Sequence, residues 1–213
     1  MEAAQIASQA GFLPSGPTRQ WLEGEWREAM TMSFEIHGEP LAQYSPRVER
    51  WVGKARSALY ESDGLRAERA LSLALAEDPK DPSLLNNLAV AFRLQGRDED
   101  ADALLRRIHE DHPDYLFART GLAQQHIERG ELEEARQLLE PLLYRRRMHY
   151  SEFDSFCGVH IELYLAEDNV DAACTWFEMW ERVDPENPKL EVFRRRVGKS
   201  SGSAGFRKRL LGG

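Results

Sequence analysis

Apolar residues between positions 82 and 115 recur three and four places apart, in two short runs separated by Gly96. The runs are Leu85, Leu88, Ala89 and Phe92, then Ala101, Leu104, Leu105 and Ile108. This spacing predicts two amphipathic helices, each with one buried face. Gly96 suits the end of the first helix because glycine adopts a left-handed conformation without a Cβ clash. Pro113 ends the second helix. The pattern therefore predicts a helical hairpin.

The same pattern returns every 34 residues along much of the chain. Prolines, turn glycines and small helix residues keep this period, at Pro79 and Pro113, Gly96 and Gly130, Ala55, Ala89 and Ala123, and Ala67, Ala101 and Ala135. A fixed period of this length is typical of stacked supersecondary repeats, each of which buries its apolar face against its neighbours. We therefore expect at least three helical hairpins in register.

A fourth repeat keeps the spacing of its apolar residues but begins four residues late. Its members are Tyr164, Ala173, Phe177, Trp180 and Pro185. The shift predicts an insertion between residues 143 and 154. Asp168-Asn169 replaces the turn glycine, and Asn tolerates the left-handed conformation better than most residues. Pro141 falls inside the predicted second helix of the third repeat, which it should kink or shorten.

These residues resemble the tetratricopeptide repeat (TPR) family. The family pattern begins with an aromatic residue or Leu, supplied by Trp51, and the later positions are filled by Leu88-Ala89, Phe92, Gly96, Ala101, Leu105 and Pro113, and by Leu122-Ala123, Gly130, Ala135, Leu139 and Leu142. The resemblance covers about residues 48–185. It implies an all-α fold, a right-handed superhelical solenoid of about four TPR-like helical hairpins with a closing helix. We expect nine helices and no strand between residues 48 and 197.

The predicted organisation has four parts. Residues 1–47 form an N-terminal extension with one amphipathic helix and a linker, and residues 48–185 form the four repeats. Residues 186–197 form the closing helix. Residues 198–213 form a flexible basic tail, as their Gly and Ser content indicates. Ser45 is predicted to cap the first repeat helix, with Pro46 at its first position.

The helix of the extension is predicted to begin at Thr18 and to carry Trp21, Leu22, Trp26, Ala29 and Met30. Large aromatic rings favour burial. The preferred interpretation is that both Trp side chains pack on the end of the repeats. The alternative is that this helix folds back into a binding groove.

Composition narrows the functional classes. Of the 213 residues, 42% are hydrophobic, which is enough for a core. The net charge of -8 argues against nucleic acid as the main partner, because nucleic-acid affinity depends on neutralised phosphates. No apolar run of about 18 residues is present, and the N-terminus lacks signal-peptide features. Two cysteines give no disulfide framework. We expect a cytoplasmic protein.

Candidate chemistry is sparse. The sequence has no glycine-rich phosphate loop and no Gly-x-Ser-x-Gly motif. Cys157, His160 and Cys174 lack the paired spacing of structural zinc sites, so they are interpreted as core residues. We therefore predict no enzyme activity, no cofactor and no metal.

There are two arginine runs: Arg145–Arg147 follows the second helix of the third repeat, and Arg194–Arg196 ends the closing helix. Cations near helix C-termini are stabilised by the unpaired carbonyl groups there, which accounts for both runs. Aromatic neighbours keep an RNA or phosphopeptide site open as the alternative for residues 144–150.

The resemblance implies a concave groove lined by the first helix of each repeat. The predicted peptide-binding residues are Arg56, Asn86, Asn87, Val90, Arg93, Leu94, Phe117, Gln124, Ile127, Glu128 and Glu162. Asn side chains both donate and accept hydrogen bonds, which suits a peptide backbone. Arg56 and Arg93 should attract acidic residues, whereas Glu128 and Glu162 should attract basic ones.

These observations predict a non-catalytic protein-protein interaction scaffold that binds a peptide or helix of a partner protein. One alternative is a structural assembly subunit that forms a homo-oligomer through its repeats and its N-terminal Trp helix. The other is a TPR-type secretion chaperone.

Overall fold

The computed structural model describes residues 34–200 and the backbone of two preceding strands, with side chains for 34–198. This part of the chain contains nine α-helices, and the all-α repeat fold is confirmed. The helices are α1 (Pro46–Tyr60), α2 (Gly64–Leu75), α3 (Pro82–Leu94), α4 (Asp98–Asp111), α5 (Leu116–Arg129), α6 (Leu132–Leu139), α7 (Tyr150–Ala166), α8 (Val170–Val183) and α9 (Leu190–Ser200). In chain order, the first eight are joined two by two through short turns, and a closing helix follows.

One turn geometry joins the helices of every pair. The turn residue is left-handed at Ser62, Gly96, Gly130 and Asp168, with φ of 58°, 72°, 77° and 58°. The residue after it donates a backbone hydrogen bond to a carbonyl five positions earlier, as in Asn169 to Tyr164 at 2.8 Å. This bond satisfies a carbonyl that the helix end leaves unpaired. The first three turn residues are 34 positions apart, whereas Asp168 follows Gly130 by 38. The four-residue shift predicted for the fourth repeat is therefore present at the turn itself.

The chain divides into two compact units. The first compact unit is Pro40–Gln125, and the second is Met1–Glu39 with His126–Gly213. In the first, α2 packs on α1 and on α3, and α4 packs on α3. Its core is rich in alanine and contains Val48, Val52, Ala55, Ala58, Ala67, Ala70, Leu71, Ala74, Leu84 and Ala91.

Gly64 marks the closest approach in this unit. A Cβ placed there would lie 2.6 Å from the carbonyl oxygen of Ala91 and 3.0 Å from the Cβ of Leu94. Only glycine lets the start of α2 come this near to α3. Ser45 accepts a hydrogen bond from the backbone N–H of Val48 at 3.3 Å, which confirms the predicted cap of α1.

The second compact unit has a core of large aromatic side chains. Phe153, Phe156, Phe177 and Trp180 are at most 1% exposed. The closing helix α9 packs on α8 and α7. It ends at Ser200, three residues beyond the predicted bound of 197, and residues 201–213 of the predicted tail lie outside the described part.

The predicted insertion is an added structural element. Helix α6 ends at Leu139, and a 3-10 helix, Glu140–Tyr144, contains Pro141, which confirms the predicted shortening. A strand, Arg147–His149, follows and pairs in parallel with Glu35–His37. The prediction of no strand between residues 48 and 197 is therefore wrong. It failed because the pairing partner lies more than 100 residues away in sequence, outside any local pattern.

The predicted N-terminal helix is also wrong. Gly16–Leu22 and Glu25–Thr31 are the strands β1 and β2, and they pair in antiparallel register, with Trp21 opposite Trp26. We number Glu35–His37 as β3 and Arg147–His149 as β4. Two residues that include Gly24 separate β1 from β2, and such short glycine connections are typical of β-hairpins. The packing predicted for the two Trp side chains lies outside the described residues.

Candidate protein-binding surface

The predicted groove residues of the first compact unit lie on the first helices of three consecutive repeats, and most of them lie on the first two. Helix α1 lies beside α3. Positions one period apart occupy equivalent places on these helices, so Arg56 corresponds to Val90 and Tyr60 to Leu94. We call this surface the first-helix face and define it by Arg56, Tyr60, Asn86, Asn87, Val90 and Leu94.

The first-helix face is apolar at its centre and exposed. Val90 and Leu94 are each 41% exposed, and Tyr60 is 93% exposed. Asn86, Val90 and Leu94 follow one another at intervals of one turn, so their side chains form one stripe along α3. Asn86 and Asn87 are half-buried, and neither amide forms a side-chain hydrogen bond to another described residue. The face therefore offers apolar contacts together with amide donors and acceptors.

Tyr60 is not among the predicted groove residues, although one signal for it is present in the sequence. It lies one period before Leu94, which was assigned to the groove. It is the last residue of α1.

The two arginines predicted for the groove in the first compact unit differ in their surroundings. Arg56 is exposed, and its guanidinium lies 3.6 Å from Glu49 of the same helix. Arg93 instead points to α4, where its Nη2 lies 3.5 Å from Asp102. Arg56 is therefore the more accessible charge for an acidic ligand group, since exposed ion pairs are weak.

On α5, Phe117 and Gln124 are half-buried. The ring of Phe117 lies 5.6 Å from that of Tyr115, centroid to centroid. Gln124 occupies the position equivalent to Val90, one period later. These two residues continue the predicted surface within the first compact unit.

The acidic residues predicted in the second compact unit are not equivalent to each other. Glu128 is exposed, whereas Glu162 is buried and forms an ion pair with Arg196 of the closing helix. Desolvation by burial raises the pKa of Glu162, Arg196 opposes this rise, and Glu128 adds to it. Glu162 thus holds α9 against α7. Ile127 beside Glu128 is half-buried.

Both arginine runs are engaged in ion pairs within the second compact unit. Arg145 lies 2.9 Å from Glu152, and Arg147 lies 2.9 Å from Glu39. In the closing helix, Arg194 contacts Glu181 at 2.6 Å and Glu191 at 2.8 Å. Arg195 also pairs with Glu191, and Arg196 pairs with Glu162, so five of the six arginines in the two runs are engaged in ion pairs with described residues.

The buried histidine of the fourth repeat is a core residue. The His160 ring stacks on Trp176 with centroids 4.0 Å apart, and its Nδ1 lies 2.8 Å from the carbonyl oxygen of Phe156. Burial lowers the pKa of His160 to about 4. Cys157 and Cys174 are buried and are not joined in a disulfide. Among the described residues, no cluster of three or more potential metal ligands occurs, and no helix is long and apolar enough to cross a membrane.

Comparison with known proteins agrees with this architecture. The family model for the tetratricopeptide repeat matches residues 99–158. A search of curated proteins finds no match. A solved structure of a Podosopora anserina putative kinesin light chain with nearly identical TPR-like repeats is 20% identical, with a TM-score of 0.50. The alignment covers 79% of this chain and 94% of that one.

Two further solved structures have similar coverage of this chain. A tetratricopeptide repeat protein from Parabacteroides merdae ATCC 43184 is 18% identical, with a TM-score of 0.45 over 79% of this chain and 65% of its own. The chain thus spans just under two thirds of that protein. MamA AMB-1 is 20% identical, with a TM-score of 0.46 over 79% of this chain and 95% of its own.

Proposed function

We propose that the chain is a non-catalytic scaffold that binds a peptide or helix of a partner through the first-helix face. A tetratricopeptide repeat model matches residues 99–158, and proteins of that family typically bind other proteins. The observation that supports this function most directly is a set of exposed apolar side chains on the first helices of two consecutive repeats. Tyr60 and Leu94 occupy equivalent positions, and Val90 lies one turn before Leu94. Solvent-exposed apolar side chains clustered on one surface are typical of interaction sites.

Each part of the face has a role in this proposal. Tyr60, Val90 and Leu94 supply the buried contacts that set most of the affinity. Asn86 and Asn87 bond the ligand backbone through amide donors and acceptors. Arg56 attracts an acidic ligand residue and orients the segment. Phe117 and Gln124 extend the contact along α5, while Ile127, Glu128 and Glu162 remain predictions for the second compact unit.

Affinity selection from a random peptide display library, followed by fluorescence anisotropy of the enriched peptide, tests the proposal. Replacing Val90 and Leu94 together by Asp should weaken binding at least tenfold, because two anchors become charged. Both side chains are exposed, so the melting temperature should remain close to that of the unchanged protein. Val192→Asp is the matched control, since Val192 is an exposed aliphatic residue, 58% exposed, on α9. Equal binding by the double variant and the control would overturn the proposal.

Sedimentation analysis separates this function from a homo-oligomeric assembly. A peptide receptor should sediment as a monomer at low micromolar concentration. An oligomer that dissociates only in the Val90→Asp, Leu94→Asp variant would assign the same face to self-association instead.

A further inference from the structure

A second surface in the first compact unit combines an apolar floor with a cationic rim. It is a cleft of about 650 Å³, and all of its lining residues belong to α1 and α2. Trp51 and Leu73 contribute to its floor, and Arg50, Lys54, Arg66 and Arg69 contribute its charges. We call it the first-hairpin cleft. It shares no residue with the first-helix face.

The charges of the first-hairpin cleft are unusually free. No carboxylate lines it. Within the described part of the chain, Arg50, Lys54 and Arg69 have no acidic partner, whereas Arg66 lies 2.8 Å from Glu61. Elsewhere in this unit arginines are typically paired, as Arg47 is with Glu77 at 3.2 Å and Arg97 with Glu68 at 3.1 Å. A local excess of positive charge therefore stands out on a chain whose net charge is -8.

The apolar floor is accessible beneath these cations. Leu73 is 47% exposed, and Trp51 is half-buried. The ammonium group of Lys54 lies 4.3 Å from the centre of the Trp51 ring, which positions a cation directly over the aromatic surface. A ligand that contacts the floor must therefore also meet the charged rim.

The dimensions of the cleft favour a helix as its occupant. Arg50 and Lys54 lie one turn apart on α1, and Arg66 and Arg69 lie one turn apart on α2. The lining of α1 extends from Arg50 to Ser57, about 10 Å or two helical turns at the usual rise per residue. Helix α3 already packs against both α1 and α2. Helices α1 and α2 thus already pack against one helix, α3, and the first-hairpin cleft between them leaves space for a second helix.

The geometry points to the first-hairpin cleft as a docking site for an acidic amphipathic helix of a partner protein. The apolar stripe of that helix lies on Trp51 and Leu73. Its flanking carboxylates meet Arg50 and Lys54 on one side and Arg69 on the other. Opposite potentials set the orientation and association rate, and the apolar stripe sets the lifetime of the complex.

The test uses two display libraries of helical peptides on the full chain. Both randomise the apolar stripe, but one carries Glu on the flanks and the other Lys. Peptides should be enriched from the Glu library only, and their affinity should fall as the salt concentration rises. The Arg50→Glu, Arg69→Glu variant should bind the enriched peptide at least tenfold more weakly. Arg106→Glu, Arg107→Glu has the same charge change on exposed positions of α4 and should bind within twofold of the unchanged protein.

No enrichment from the Glu library, or equal binding by the two charge-reversal variants, would overturn the inference. Loss of binding in Val90→Asp, Leu94→Asp would also overturn it, because that result would place the peptide on the first-helix face. The Val90→Asp, Leu94→Asp variant alters only the first-helix face, and the Arg50→Glu, Arg69→Glu variant alters only the first-hairpin cleft. The proposals for the two surfaces are therefore tested independently. Self-association abolished by Arg50→Glu, Arg69→Glu would assign the cleft to a second copy. Binding to vesicles of anionic phospholipid without peptide binding would assign it to a membrane surface.

Discussion

The two compact units pack their helices with side chains of different size. In the first, alanines such as Ala55, Ala67 and Ala101 lie where helices cross, each at most 2% exposed, and the 34-residue period is kept. In the second, Phe156, Phe177 and Trp180 fill the core. This unit also contains the four-residue shift, the strand β4 and the closing helix.

The difference shows how a repeat accommodates irregularity. Small residues let helices approach closely. Such close packing requires each repeat to present the same surface to the next one. Where an insertion and a closing helix change the surfaces, larger side chains fill the altered space. The aromatic unit should therefore lose more free energy when a side chain is removed, and the alanine unit should be the more sensitive to added volume.

The largest expected effect is in the aromatic core. Phe177→Ala should lower the free energy of unfolding by about 3–5 kcal/mol, because it leaves a cavity at a fully buried position. Urea denaturation followed by tryptophan fluorescence measures this loss, since Trp176 and Trp180 lie in the same helix. A loss below about 1 kcal/mol would contradict the close packing of this core.

The pH dependence of the aromatic unit follows from His160. Its folded pKa of about 4 lies below the unfolded value of about 6.5, so the unfolded chain binds the proton more tightly. The contribution of His160 is fully present above pH 6.5 and is lost progressively as the pH falls toward 4, by ~3 kcal/mol in total. Urea denaturation at several pH values should show a shallower dependence for His160→Gln than for the unchanged protein. Identical slopes would contradict the prediction.

Added volume should instead disturb the alanine unit. Ala101→Leu should destabilise the protein by about 1–3 kcal/mol, because Ala101 is fully buried at the crossing of α3 and α4. Ala76→Leu is the matched control, since Ala76 is exposed at the end of α2. Thermal unfolding of both variants makes the comparison, and equal melting temperatures would show that the register is wrong.

The smallest expected effect lies in the turns, which the two units share. Ser62→Gly and Asp168→Gly should each stabilise the fold by less than about 1 kcal/mol, because relief of left-handed strain exceeds the entropic cost of glycine. Gly96→Ala should have the opposite sign. Chemical denaturation of the three variants resolves these differences, and a uniform sign would contradict the shared turn geometry.

Much of the fold was predictable because its signals are local. The helices, the caps at Ser45 and Gly96 and the four-residue shift all follow from spacing within one or two turns of chain. The β1–β2 hairpin was missed because the apolar residues around Trp21 and Trp26 also fit a helical spacing. The pairing of β3 with β4 was missed because its hydrogen bonds join distant segments.

The sequence by itself determined the 34-residue repeat, its resemblance to the tetratricopeptide repeat and the helices that carry the first-helix face. Only the tertiary structure decided which charges are free. Arg93 and Glu162 are bound to groups on other helices, whereas Arg50, Lys54 and Arg69 converge on an open cleft. Helix periodicity depends on residues that are close together in the sequence. Ion pairing depends on distances of a few ångströms between elements that are far apart in the chain.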